Sequence, residues 1–248
     1  GGIEAFADEV LYLSILLIIG FVIYGFATHY SDEFGRTVVL MVLILSTIVF
    51  WALFEQSAGS MTLFADRVVD RSVGETTFTA AQFGSLNAGF IMLLAIPFAA
   101  LWTWLAKKQL EPSTPVKFGL GIFQAGLGFG ALVYGAQHTD QFGQVAMIWL
   151  ILAYLLHTTG ELCLSPVGLS AVTKLSIGNV VGVSMGTWFL ATALSETVAT
   201  RLGKLAAIPT EGSGIADPAT ALATYTQLFE FLMWFGLGTG LFMMIISP

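Results

Sequence analysis

Seven stretches of this chain are long and apolar enough to cross a membrane, and that limits the fold more than any motif. They run from about Leu11 to Ala27, Thr37 to Gln56, Ala80 to Ala106, Phe118 to Ala136, Val145 to Leu175, Val180 to Leu205 and Tyr225 to Ser247. About 20 residues cross the hydrocarbon core as a helix. Lipid offers backbone groups no hydrogen bonds, so a span of this kind closes them internally and becomes a helix. Only 10% of the 248 residues are charged and 56% are hydrophobic, against about 25% charged in a soluble domain. The expected fold class is an all-α polytopic membrane protein.

The same sequence excludes several chemistries. The single cysteine, Cys163, lies inside a span, so it reads as a small packing residue rather than part of a disulfide or zinc pattern. No metal-ligand spacing, phosphate loop or nucleophile elbow appears, so no cofactor and no enzyme activity is expected. The net charge is −7 without a basic patch, which argues against nucleic acid as a partner. Gly1 to Asp8 does not read as the basic start of a signal peptide. Because the chain starts on Gly rather than Met, it is read as a fragment or a processed product.

Lys and Arg set orientation. Arg36, Lys107, Lys108, Lys117 and Lys174 fall on one side, and Arg67, Arg71, Arg201 and Lys204 on the other. The cluster at Lys107, Lys108 and Lys117 marks the first side as cytoplasmic. Gly126 and Gly130, and again Gly236 and Gly240, have the spacing that lets helix backbones approach closely. Pro97 and Pro166 are expected bend points inside spans. The polar stretch from Ser57 to Thr79 and the Gly/Pro/Ala-rich stretch from Ala206 to Ala223 read as connectors, and Trp102 and Trp104 as an interfacial belt.

Few polar groups sit deep in the spans. Glu161 is the most demanding, because an intramembrane carboxylate must be neutral, paired or facing water. His157, Glu161 and Ser165 recur every four residues, which places them on one helix face. Such a polar stripe faces protein or a water-filled cavity. It could hold a charged substrate end, with the Glu161 carboxylate opposite an ammonium group and Asn87 adding a hydrogen bond. Glu55 closes the second span. Either it faces the cavity, where burial favours its neutral form and suits proton coupling, or it ends the helix at headgroup level. His157 reads as a hydrogen-bonded packing residue, and Trp188 as either core or cavity wall. Glu196 is expected to pair or reach the interface, and Glu230 to open the seventh span.

Five segments in order carry a resemblance: Phe50-Trp-Ala-Leu-Phe-Glu-Gln56, Leu63-Phe-Ala-Asp-Arg67, Gln82-Phe-Gly-Ser-Leu-Asn87, Gly160-Glu-Leu-Cys-Leu-Ser-Pro-Val-Gly-Leu-Ser170 and Met185-Gly-Thr-Trp-Phe-Leu-Ala-Thr-Ala193. The chain resembles the proton-dependent oligopeptide transporter family of the major facilitator superfamily. The resemblance covers only the family's C-terminal half. It implies an extra inter-bundle helix and loop over 1–36 and a C-terminal six-helix transmembrane bundle over 37–248. It further implies that Glu161 holds the peptide amino terminus with help from Asn87. Glu55 would serve protonation and the peptide carboxylate end, Ser165 would be a polar pocket residue, and Trp188 a wall for side chains. Ala88 and Ser57-Ala58 depart from the residues frequent in the family, and Ala88 is expected to leave the third span straighter.

The implied function is proton-coupled symport of di- and tripeptides across the bacterial inner membrane by alternating access. The implied partners are peptides, protons, the lipid bilayer and the N-terminal six-helix bundle missing from this sequence. The alternatives are a related secondary transporter of another small solute and a non-transporting membrane assembly partner.

Overall fold

A computed structural model describes residues 34–176, 181–205 and 218–247, with scattered positions between 9 and 27. The elements are α1 (Phe34–Phe54), a 3₁₀ turn (Glu55–Ser57), α2 (Ser60–Arg67), β1 (Val69–Asp70), β2 (Ser72–Val73), β3 (Thr76–Thr77), α3 (Ala80–Phe83), α4 (Ser85–Lys107), α5 (Thr114–Gln137), β4 (Val145–Ala146), α6 (Met147–Leu175), α7 (Val181–Leu205) and α8 (Pro218–Ile246). Six of these helices are long. Five segments, Gly35–Arg67, Ala80–Lys107, Thr114–Gln137, Met147–Leu175 and Ala219–Ile246, are long and apolar enough to cross a membrane. These match five of the seven expected spans. The helix α7 covers the sixth, with Glu196, Arg201 and Lys204 in its second half. The first expected span lies largely outside the described residues, although its described positions are helical and exposed.

Glycine builds the centre of the bundle. The helix α5 packs most extensively on α8 and α6. A Cβ on Gly126 would come within 2.7 Å of the Leu237 nitrogen, and one on Gly240 within 2.6 Å of the Phe123 nitrogen. Across the other interface, a Cβ on Gly121 would stand 2.8 Å from the Gly160 carbonyl oxygen. The backbones therefore meet directly, as small residues allow where lipid supplies no hydrophobic drive. Around these contacts Phe50, Phe64, Phe118, Phe129, Tyr225 and Phe229 form a fully buried aromatic core.

The Ser57–Thr79 stretch is more ordered than a connector. It holds α2 and the hairpin β2–β3, with Ser72 opposite Thr77. Gly74 occupies φ +60°, which the tight turn needs and glycine supplies freely. The strand β1 pairs in parallel with β4, Val69 opposite Val145. This ties the far end of α1–α2 to the α5–α6 turn. Short strands of two residues carry no periodicity, which is why the sequence did not announce them. The side chain of Gln82 accepts a hydrogen bond from the Thr79 N–H at 2.7 Å, closing the start of α3.

Two further boundaries differ from expectation. The described part of α8 runs from Pro218, so the connector ends before the Ala223 read from composition, and residues 206–217 lie outside the described set. Glu230 therefore lies well inside α8, exposed, rather than opening it. Helix α4 is interrupted from α3 at Gly84 but continuous through Ala88 and Pro97. It has no fully buried residue, and Met92, Leu93 and Ile96 are 81%, 71% and 80% exposed. At the opposite end of the bundle Lys117 pairs with Glu111 and lies 4.7 Å over the Trp102 ring, so Trp102 belongs to a clamp. Trp104 is exposed with Lys108 above it.

The glycine contacts generate a stability prediction. Gly126→Val and Gly240→Val should each destabilise the protein by about 1–3 kcal/mol through overpacking. Gly238→Ala, where nothing lies within 4 Å, should be neutral or slightly stabilising. Thermal unfolding in detergent, with the three variants side by side, checks the contrast.

Candidate functional site

The site begins with Glu161 on α6. The helix places Tyr154, Thr158, Glu161 and Ser165 at spacings of three and four, so they form one stripe. The partner comes from α4, whose principal contact among the long helices is α6. The Nδ2 of Asn87 donates to Glu161 Oε2 at 3.0 Å and to Thr158 Oγ1 at 3.2 Å. One amide nitrogen carries two hydrogens, so both bonds can form together. Thr158 in turn donates to the Tyr154 carbonyl at 2.8 Å. Glu161 is half-buried, with one carboxylate oxygen held by Asn87 and no ion pair among the described residues. The Asn87 bond orients the carboxylate while leaving acceptor capacity for a cation.

Glu55 sits at the end of α1 in the 3₁₀ turn, half-buried. Its carboxylate makes no hydrogen bond or ion pair among the described residues. It stands within electrostatic reach of Glu196 on α7 and Glu161 on α6. A cavity of about 480 Å³ beside it is lined by Glu55, Ser60, Leu63, Glu196, Thr200 and Lys204 among others. The turn is anchored on both sides. Gln56, fully buried, donates to the Ala199 carbonyl of α7 at 2.9 Å and accepts from Ser60 at 2.7 Å. Tyr154 donates to the Ser57 carbonyl at 3.1 Å, joining the turn to α6.

The structure brings Glu161 and Asn87 into direct contact and sets Glu55 in their field. Ser165, four residues beyond Glu161, has a buried hydroxyl without a hydrogen-bond partner among the described residues. Trp188 is 7% exposed, its ring 6.1 Å from Phe118 and seated over Gly168, where a Cβ would lie 2.5 Å from the indole. Its surroundings are those of a packed interior. No group of three or more metal-ligating side chains occurs among the described residues. Sequence reasoning gave Thr158, Gln56 and Glu196 no site role. Thr158 was detectable as the polar residue three before Glu161. Nothing in spacing pairs Gln56 with a carbonyl 143 positions away.

Comparison with known proteins places this geometry. The profile of the POT family matches residues 4–226. The chain belongs to the POT family. It is 40% identical over 183 residues to the peptide transporter YePEPT of Yersinia enterocolitica, covering 73% of this chain and 36% of that one. It is 32% identical over 216 residues to a dipeptide and tripeptide permease A of Edwardsiella piscicida, covering 86% of this chain and 42% of that one. A crystal structure of a peptide transporter POT in complex with sulfate superposes with TM-score 0.84 at 31% identity, over 99% of this chain and 47% of that one. The chain thus spans under half the length of the POT proteins it matches. Family and fold class agree with the resemblance read from the motifs.

The anchoring of the Glu55 turn in this POT chain can be tested by itself. Gln56→Leu removes the bond to Ala199 and strands the Ser60 hydroxyl. The variant should lose about 1–3 kcal/mol of stability, the penalty of an unsatisfied buried polar group. A lowered unfolding midpoint in detergent would show it, and an unchanged midpoint would not fit the anchoring described.

Proposed function

We propose that the protein carries out proton-coupled symport of di- and tripeptides across the bacterial inner membrane, this chain supplying the C-terminal half of the binding cavity. The observation that carries the reading is the Asn87–Glu161 bond between α4 and α6. It holds a carboxylate inside the bundle with open acceptor capacity, the complement of a peptide's ammonium end. The names of the relatives, a peptide transporter and a dipeptide and tripeptide permease, support the same substrate class.

In this reading Glu161 receives the amino terminus, Asn87 and Thr158 keep the carboxylate aimed, and Ser165 offers its unpartnered hydroxyl to the peptide. Trp188 backs the pocket from the packed interior. Glu55 takes up the proton and meets the carboxylate end of the peptide. The facing wall comes from an N-terminal six-helix bundle, and the two bundles rock about a midplane site. The exposed apolar face of α4 meets that bundle or the lipid bilayer. The membrane potential adds about 2.3 kcal/mol per charge per 100 mV to inward movement.

Uptake of a dipeptide into proteoliposomes under an inward proton gradient tests this with the intact transporter. Glu161→Ala should abolish saturable uptake. Glu55→Gln should lose proton-driven accumulation while still exchanging peptide across the membrane without a gradient. Full proton-driven accumulation by Glu55→Gln would remove its coupling role, and uptake of other small solutes in place of dipeptide would assign a different cargo.

A further inference from the structure

His157 is a buried titratable side chain that the proposed cycle does not use. It is 1% exposed, on α6, four residues before Glu161 and next to Thr158. Its Nε2 lies 3.1 Å from the Ala125 carbonyl oxygen of α5. A carbonyl only accepts, so the proton of this bond is on Nε2. Nδ1 is buried and has no hydrogen-bond partner among the described residues. The ring contacts Phe129 of α5, centroids 4.9 Å apart, and Phe54 of α1 at 6.2 Å. Gly128 makes room for it: a Cβ there would stand 2.6 Å from the imidazole Cδ2.

The interface around this bond explains its importance. The helices α5 and α6 meet through Gly121 on Gly160, Gly128 on His157 and Gly135 on Trp149. At Gly121 and Gly160 the contact is backbone on backbone, with no side chain between α5 and α6 to oppose rotation about the helix axis. The His157 bond to Ala125 supplies that resistance on one side of Glu161, and a bond from Gln124 Nε2 to Cys163 Sγ at 3.4 Å lies on the other. Successive residues on α6 are about 100° apart, so a modest rotation carries Glu161 away from Asn87.

We infer that His157 is a positioning residue: its hydrogen bond to the Ala125 carbonyl sets the rotation of α6 that aims Glu161 at Asn87 and at the substrate amine. This rests on the proposed role of Glu161. His157 touches neither substrate nor proton. It acts by fixing the direction in which a carboxylate one helical turn away points.

The test compares His157→Phe, which keeps a ring but loses the donor, with His157→Gln, which keeps an N–H donor. The intact transporter in proteoliposomes is assayed for the KM and maximal rate of a dipeptide, and for inhibition by the same dipeptide acetylated on its amine. His157→Phe should raise the dipeptide KM roughly tenfold, the scale of one charge-assisted bond, with the maximal rate within about twofold. Inhibition by the acetylated peptide, which presents no ammonium to Glu161, should stay within about twofold. His157→Gln should bring KM back to within about threefold of the unmodified protein. Gly128→Ala, which crowds the imidazole from the other helix, should reproduce the amine-dependent loss and covers a His157→Phe protein that does not fold. Equal KM values for the Phe and Gln variants, or equal losses for free and acetylated peptide, would overturn the inference and leave the transport reading standing. Absence of dipeptide uptake by the unmodified transporter would take away both.

Discussion

A carboxylate on a membrane-spanning helix is costly to bury, and the arrangement around Glu161 answers that constraint. Burying a charge is costly unless it is paired and hydrogen-bonded. Here the Asn87 amide reaches from α4 to hold one oxygen, and the same nitrogen holds Thr158 beside it. The partial satisfaction is informative. A carboxylate meant only to join two helices would be expected to meet a full set of donors. Glu161 keeps acceptor capacity and remains half-buried, which is what a cation-binding group in a cavity requires. Glu55, with no bond to its carboxylate among the described residues, extends the same logic to a second position.

Rigidity is distributed to suit this. The α5–α6–α8 unit is drawn to backbone distance by glycine contacts and filled by a buried aromatic core. The turn bearing Glu55 is held by Gln56 on α7 and Tyr154 on α6. By contrast, α4 has no fully buried residue. Among the described residues two polar ties join it to the rest, Asn87 toward one end and Trp102 against Lys117 toward the other. A helix fastened through the group proposed to receive the substrate is well placed to respond when that group changes partner. Precise sites on rigid elements, with one adjustable neighbour, combine orientation with movement.

Much of this was legible in the residues, and the reasons are specific. Apolar length reports spans because lipid forces backbone closure, so α1, α4, α5 and α6 appear close to their expected ranges. The paired glycines of α5 and α8 signalled the contact that Gly126 and Gly236 make. Glu161 stood out because a charge in an apolar run is expensive. That the chain is already helical from Pro218 did not show, because its small residues there read as a connector. The strands were invisible at two residues each. The partnership of Gln56 with Ala199 was also hidden, since a side chain bonding to a backbone carbonyl leaves no trace in the identity of its acceptor. Trp188 illustrates the limit from the other direction. The sequence left it between core and cavity wall, and only Gly168 beneath its ring shows how closely it is packed.

The central claim is that Asn87 and Glu161 act on the substrate as one unit. A double-mutant cycle measures this directly: dipeptide affinity in the intact transporter for Asn87→Ala, Glu161→Gln and the pair. If Asn87 works by aiming the Glu161 carboxylate, the second substitution adds little once the first is made, and the coupling energy reaches about 1 kcal/mol or more. If the losses add to within about 0.3–0.5 kcal/mol, the two residues act independently, and the clasp between α4 and α6 is not the basis of peptide binding.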